Sequence, residues 1–168
     1  MPNPLERIYD EHAQALFSFL HNFTCSEADT RDVLQELFCK IAQRPSMLDT
    51  VREERAFLLR MAHNLAVDFM RRRSTRDKNH AQFAKEPLPG FAEPVAADAG
   101  CVQESIAAAL EMLPPEQRAV VHLKLWEDAT FEAIAETLRI SANTAASRYR
   151  YAIDKLRQQL RPIYEEIQ

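Results

Sequence analysis

The chain has 168 residues, of which 46% are hydrophobic, and it contains only two glycines. This hydrophobic content excludes an intrinsically disordered chain and is typical of a compact helical protein. No apolar run approaches the roughly 20 residues that a membrane span needs. The N-terminal residues 1–12 also lack the apolar run of a signal peptide, so we expect a cytoplasmic protein without membrane insertion.

The net charge of −4 is unevenly distributed along the chain. Residues 60–78 contain six basic and two acidic side chains, residues 141–161 contain five basic and one acidic, and the remainder is acidic. Basic patches on an acidic body restrict where a polyanion binds. Because phosphate contacts dominate non-specific DNA affinity, we expect weak DNA binding by the chain alone and dependence on a partner.

The residues that usually carry enzyme or metal chemistry form no recognisable motif. Cys25, Cys39 and Cys101 are odd in number and far apart, which indicates idle thiols rather than disulfides or metal ligands. The five histidines form no HExxH or HxxxH pair, and two glycines cannot build a phosphate loop. We therefore expect no catalytic site, no metal and no cofactor.

Helical periodicity predicts about four helices in residues 1–78, which we call the first module, and no strand pattern occurs. Asn3-Pro4 indicates a helix start, and Ser26 to Asp29 a capping box. A second helix follows, then a loop at 45–50 and a long helix ending at Arg73. The apolar stripe of the first helix comprises Leu5, Ile8, Tyr9, Leu16, Phe19, Leu20 and Phe23.

Residues 79–100 contain three prolines and both glycines, which predicts an extended linker. Such a linker makes independent motion of the two flanking modules the default expectation. Residues 101–168, the second module, show helical spacing throughout. The predicted fold class is all-α, with two small helical modules joined by a flexible linker and a helix-turn-helix in the second.

The helix-turn-helix is predicted from residues 131–160. Phe131, Ile134 and Leu138 give a short helix one apolar stripe, and Ser141 can cap the next helix. That next helix has an apolar face and a polar, basic outer face, the geometry that places a recognition helix in the major groove of DNA. An ordinary helical hairpin with solvated arginines remains an alternative on this pattern alone.

Two segments resemble one protein family in the right order. DVLQELF (32–38) followed by FLLRMAHNLAVDFMRRR (57–73) resembles region two of the extracytoplasmic-function (ECF) sigma factors of bacterial RNA polymerase. Residues 109–157 are similar to region four of that family. The resemblance implies a protein that binds core RNA polymerase and promoter DNA and directs promoter-specific transcription initiation. It further implies an anti-sigma factor that holds the free protein.

The resemblance also implies which residues bind. The second helix would dock on the clamp coiled coil of the polymerase's largest subunit through Asp32, Gln35, Glu36 and Phe38, although a merely solvated face is the alternative. Asn64 would read a flipped base of the −10 element, because an amide both donates and accepts hydrogen bonds. Strand phosphates would lie beside Arg71, Arg72 and Arg73, which could also simply favour a helix C-terminus.

The −35 element would be bound by the last helix, with Arg150 and Tyr151 best placed for base edges. The full predicted −35 set is Asn143, Thr144, Ser147, Arg148, Arg150 and Tyr151. Several positions depart from the family pattern and put the −35 sequence in doubt: His63, Arg139, Ala145, Ala146 and Tyr151. Glycine is frequent at the position of Arg139, where we expect a strained left-handed backbone.

Two other functions fit the same residues less well. A stand-alone helix-turn-helix regulator would act without core polymerase and would shift its operator DNA by itself. A silent relative would do no more than occupy an anti-sigma partner.

Overall fold

The computed structural model describes residues 4–80 and 99–166, and every regular element in those two ranges is helical. Seven α-helices and one 3₁₀ turn occur in the order α1 (Pro4–Thr24), α2 (Glu27–Gln43), the 3₁₀ turn (Pro45–Leu48), α3 (Glu54–His80), α4 (Ala99–Glu111), α5 (Pro115–Leu125), α6 (Phe131–Leu138) and α7 (Ala142–Glu166). None of the helices in the described ranges is long and apolar enough to cross a membrane. The all-α prediction is confirmed.

The first module contains three α-helices rather than about four, because the predicted loop at 45–50 forms only a 3₁₀ turn. The predicted linker, 79–100, lies mostly outside the described residues, and α3 and α4 extend into its two ends. Since α3 runs to His80, Arg73 lies well before its C-terminus. The dipole explanation for the arginines is therefore wrong, because that effect is confined to the last turn.

The helix starts follow the sequence where side-chain caps were predicted. The Ser26 hydroxyl accepts a hydrogen bond from the Asp29 backbone N–H at 3.3 Å, which confirms the cap of α2. Pro4 opens α1, whereas Asn3 lies outside the described residues. Cys25 turns the chain between α1 and α2 with a positive φ of 54°. These local signals set the boundaries of the first two helices.

Helices α1, α2 and α3 bury their apolar stripes against one another. The stripe predicted for α1 is confirmed at five positions, which are at most 2% exposed: Ile8, Leu16, Phe19, Leu20 and Phe23. Leu5 is partly buried, and Tyr9 is 57% exposed, so the prediction for Tyr9 is wrong. Helical spacing alone placed Tyr9 on the stripe, but its ring contacts Phe38 of α2 and otherwise remains exposed in the described part of the chain.

The two modules pack directly against each other. Helix α5 lies on α1, and α6 lies on α3. Side chains of the second module join the same buried cluster as those of α1 to α3: Ala119, Val120, Leu123, Ile134, Leu138 and Ala145. A smaller cluster between α4, α5 and α7 belongs to the second module alone. The default expectation of independent modules did not anticipate this shared core.

His122 is the buried polar residue at the centre of this contact, with 1% of its surface exposed. Its Nδ1 accepts a hydrogen bond from the Asn22 side-chain amide at 2.8 Å. The ring packs edge-on against Phe19 and stacks on Trp126, with centroid distances of 5.3 and 5.2 Å. Burial lowers the pKa of His122 to about 4, although the nearby carboxylate of Glu127 acts in the opposite direction.

This pKa predicts acid sensitivity of the folded state. An unfolded histidine titrates near 6.5 and the folded His122 near 4, so stability is lost as pH falls from 6.5 towards 4. Between pH 7 and pH 5 the free energy of unfolding should fall by about 2 kcal/mol through this group. Urea denaturation at the two pH values measures the change.

His122→Gln is the control, because it removes the titrating group and should remove most of the pH slope, whatever its effect on absolute stability. Part of the slope should remain, since burial also lowers the pKa of His63. Equal slopes in the parent and in His122→Gln would contradict the assignment.

Candidate functional site

A hydrophobic groove of about 770 Å³ runs between α1 and α2. Gln35 and Phe38, two of the four residues predicted to bind the polymerase, line it. The Tyr9 ring packs against Phe38 with a centroid distance of 5.3 Å, and this contact explains why an exposed aromatic is held in place. The groove is a preformed apolar surface of the kind that accepts a helix of a partner protein.

The other two residues of the predicted polymerase-binding set lie apart from the groove. Asp32 is exposed on α2. Glu36 is half-buried and faces α3, where its carboxylate lies 3.4 Å from the Arg72 guanidinium. It also lies 3.8 Å from the Lys40 ammonium. The structure therefore brings Gln35 and Phe38 together and places Glu36 beside the arginines predicted to bind DNA.

The three consecutive arginines on α3 are exposed but differ in their partners. Arg72 pairs with Glu36, and Arg73 pairs with Asp29. Arg71 forms no ion pair with any described side chain. Acids of α2 thus neutralise part of this basic surface, and Arg71 presents the least compensated charge.

Asn64 lies exposed on α3, one helical turn after Arg60 and on the same face. A cavity of about 610 Å³ lies between the loop after the 3₁₀ turn, the start of α3 and α6, and Asn64 is not among the residues that line it. Phe57 and Arg60 line this cavity, with the guanidinium 5.7 Å from the ring centroid. An aromatic ring and a guanidinium both stack on nucleic-acid bases. The sequence analysis did not name Phe57 and Arg60 individually as candidate binding residues, although the excess of basic residues from 60 onward is a signal for Arg60.

The helix-turn-helix has the predicted turn. Arg139 ends α6 in the left-handed conformation, with φ 55° and ψ 48°, which confirms the prediction for that residue. The Ser141 hydroxyl accepts a hydrogen bond from the Thr144 backbone N–H at 3.0 Å, so Ser141 caps α7. Thr130 caps α6 in the same way through the Ala133 N–H at 3.1 Å. Ala145 is fully buried, and its small side chain lets α7 approach α6 closely.

The residues predicted to bind the −35 element fall into two stripes along α7. Asn143, Ser147 and Arg150 recur at helical spacing and form the outer stripe, with Asn143 and Arg150 exposed. Thr144, Arg148 and Tyr151 form the second stripe. The outer stripe is the better candidate for the floor of a DNA groove.

Two of the three residues in the second stripe, Thr144 and Arg148, already interact with other parts of the protein. The Thr144 hydroxyl lies 2.8 Å from the Ser141 hydroxyl, as part of the cap. Arg148 is half-buried and lies close enough to α3 that its charge, together with the stronger effect of burial, lowers the pKa of His63. Tyr151 is 60% exposed.

One cluster of possible metal ligands occurs among the described residues. Atoms of Glu11, His12 and Glu54 lie within 4.8 Å of one another. The Arg7 guanidinium already contacts both carboxylates at 2.8 Å, and it holds the pKa of Glu54 below its usual range. Because Arg7 pairs with both carboxylates, we interpret the cluster as an ion-pair network.

Comparison with known protein families assigns both modules. Residues 8–76 match sigma-70 region 2, and residues 109–158 match sigma-70 region 4. The fold matches the sigma factor RpoE of Bartonella quintana, which was solved in complex with the anti-sigma factor NepR. The TM-score is 0.76 at 19% identity, over 93% of this chain and 96% of the other. The class of protein is thus that of the sigma-70 factors.

Curated relatives narrow the class. The ECF RNA polymerase sigma factor SigL of Mycobacterium tuberculosis (strain ATCC 25618 / H37Rv) is 33% identical over 155 residues, covering 91% of this chain and 86% of SigL. The ECF RNA polymerase sigma factor SigX of Bacillus subtilis is 24% identical over 99% of this chain and 89% of SigX. The chain belongs to the ECF family of RNA polymerase sigma factors.

The left-handed conformation of Arg139 predicts that glycine at this position would stabilise the fold. Arg139→Gly should raise the free energy of unfolding by up to about 1 kcal/mol, because glycine has no Cβ to clash in this conformation. Arg139→Ala is the matched control and should gain nothing, since alanine keeps the Cβ. Urea denaturation of the three proteins measures the difference, and equal midpoints for the glycine and alanine variants would contradict the prediction.

Proposed function

We propose that this chain binds core RNA polymerase and directs promoter-specific transcription initiation. The first module would bind the polymerase and the unpaired −10 strand, and the second would read duplex −35 DNA. The observation that carries this proposal is that sigma-70 region 2 and region 4 both match, in order, on one chain. A stand-alone regulator would need only the helix-turn-helix.

The groove between α1 and α2 is our candidate for the polymerase contact. Its lining is mainly apolar, with the charged residues Glu6, Asp10 and Arg31 also present, and Gln35 is an exposed member of that lining. Asp32 and Glu36 would then act at the periphery of the interface, where charged residues steer association more than they add affinity. Glu36 would have to release Arg72 or contact the partner with that pair intact.

For the −10 strand we propose Asn64 as the base-reading residue, with Arg60 one helical turn before it and Phe57 lining the same cavity as Arg60. Arg71 would hold a phosphate directly. Arg72 and Arg73 would exchange their carboxylate partners for phosphates, because a guanidinium binds either group in the same forked geometry.

For the −35 element we propose the outer stripe of α7 as the base-reading surface and Arg148, Thr144 and Tyr151 as supporting contacts. A guanidinium such as that of Arg150 can fork to guanine O6 and N7 in the major groove. An anti-sigma factor is a further proposed partner, since the RpoE relative was solved with one. We propose a cytoplasmic protein with no catalytic activity of its own.

The proposal is tested by run-off transcription with purified core polymerase, followed by mapping of the start sites. The chain should direct initiation only when core is present, and gel shift with the chain alone should be weak. Asn64→Ala should impair initiation without reducing core binding. A shift of operator DNA by the chain alone, with no effect on the polymerase, would instead establish a stand-alone regulator.

The groove assignment predicts the effect of Gln35→Arg. A bulky cation at the edge of an apolar groove should weaken core binding at least about ten-fold, since it must be desolvated against the partner. A titration of labelled protein with core polymerase measures the affinity. Gln43→Arg, at an exposed position of α2 outside the groove, is the matched control and should bind as the parent does. Normal binding by a folded Gln35→Arg variant would refute the assignment.

The outer stripe predicts base reading by Arg150. Arg150→Ala should relax the preference at one or two −35 positions by roughly 1–3 kcal/mol, with core binding preserved. Transcription from a promoter library measures the preference. Arg157→Ala, seven residues further along the same stripe, should instead weaken all −35 sequences uniformly, as loss of a phosphate contact does. Uniform weakening by Arg150→Ala would transfer base reading to Tyr151 or Asn143.

A further inference from the structure

The Arg139 side chain is an exposed cation that forms no ion pair with any described residue, although the exposed Glu136 lies only three residues before it. The backbone of Arg139, by contrast, is firmly held. Its N–H donates to the Ala135 carbonyl, and the Ile140 N–H donates to the same carbonyl at 3.0 Å. The Ile140 side chain packs against the main core, so the chain is fixed on both sides of Arg139.

The left-handed turn at Arg139 does not depend on a guanidinium. It is made by backbone hydrogen bonds and by the side chain of Ile140. Glycine adopts the same conformation without a Cβ clash, which is the basis of the stability prediction above. Residues held in unfavourable backbone conformations cluster at functional sites, where the side chain has a use that offsets the strain. The property that arginine has here and glycine lacks is an exposed, uncompensated positive charge.

Arg139 lies between the two helices of the helix-turn-helix, α6 and α7. In this motif the first helix crosses the DNA backbone, and the N-terminal residues of the second lie at base edges in the major groove. The turn is therefore the point where the protein passes from a line of phosphates into the groove. Asn143, the first residue of the outer stripe, follows four residues later, after the Ser141 cap. A cation at this point is placed to meet the phosphates that border the groove.

We propose that Arg139 binds a backbone phosphate at the edge of the −35 major groove and thereby fixes the register in which α7 enters the groove. This inference rests on the proposed function of the second module. A guanidinium forks onto two phosphate oxygens through charge-assisted hydrogen bonds. Such a contact positions the protein but carries no sequence information. Arg139 thus contributes to the affinity for −35 DNA, whereas the outer stripe sets the sequence preference.

Arg139→Gly separates a DNA contact from a role in the fold. The variant should be more stable to urea than the parent, as predicted above, and yet should bind promoter DNA less tightly. A residue that served only the turn would give a more stable variant with undiminished DNA binding, and that result would overturn the proposal. The affinity is measured with the full chain assembled on core polymerase, and the DNA is a duplex promoter fragment chosen from the mapped start sites.

Salt dependence shows whether the lost contact is ionic. Arg139→Ala should weaken binding roughly ten-fold at 50 mM salt and about three-fold at 200 mM, because one phosphate contact contributes about 0.9 to the slope of log affinity against log salt. The loss should be the same for promoters with different −35 sequences. Arg139→Lys keeps the charge and should restore most of the affinity.

Arg161→Ala is the matched control. It removes the same charge from an exposed ion pair with Glu165, about 30 Å along α7 from Ala142. This variant should bind promoter DNA as the parent does at both salt concentrations. An equal loss in Arg139→Ala and Arg161→Ala would indicate a general effect of net charge and would overturn the proposal.

Uncharged methylphosphonate linkages, placed one at a time along both strands of the −35 element, identify the phosphate. The parent should lose affinity at one or two linkages at which Arg139→Ala loses none, because the variant no longer makes that contact. Equal sensitivity of the two proteins at every linkage would overturn the proposal. If the parent directs no initiation with core polymerase, so that no start site can be mapped, the proposed function itself fails and this inference fails with it.

Discussion

The packing of α5 on α1 is the contact that joins the second module to the core of the first. Helix α5 carries apolar residues that belong to the same core as α1, and it places a neutral imidazole at the centre of that core. The Nδ1 of His122 accepts a hydrogen bond from Asn22, whereas its Nε2 has no hydrogen-bond partner among the described residues and lies 4.0 Å from the Glu127 carboxylate, so the contact is adequate but not optimal.

Within the first module, carboxylates of α2 compensate part of the positive charge on α3. The arginines of α3 that would meet strand phosphates are already bound to carboxylates of α2 in two of three cases. Exposed ion pairs of this type contribute little to stability, so phosphates can replace the carboxylates at small cost. The acids would nevertheless lower the attraction of the free chain for arbitrary DNA, as the proposed dependence on core polymerase requires.

Local features were predictable because each depends on a few neighbouring residues. Ser26 and Ser141 cap the helices that follow them, and Arg139 adopts the left-handed turn, as hydroxyl and backbone chemistry require. The apolar faces of α6 and α7 follow from helical spacing. Tyr9 shows the limit of this reasoning, since spacing gives a face of the helix but not what covers it. The groove beside Tyr9 exists because α2 packs at one side of the ring and nothing described lies over the other.

By itself, the sequence determined an all-α chain, the helix-turn-helix, the ECF sigma factor resemblance and the residues that carry it. Only the tertiary structure decided how these parts meet. Asn22 and His122 are 100 positions apart, and Arg55 and Glu127 are 72 apart. Periodicity and capping depend on residues within one or two helical turns, so they cannot predict contacts between residues that are this far apart in the sequence. The pairing of Glu36 with Arg72, and the position of Arg148 from which its charge acts on His63, result from the way whole helices bury their faces against one another.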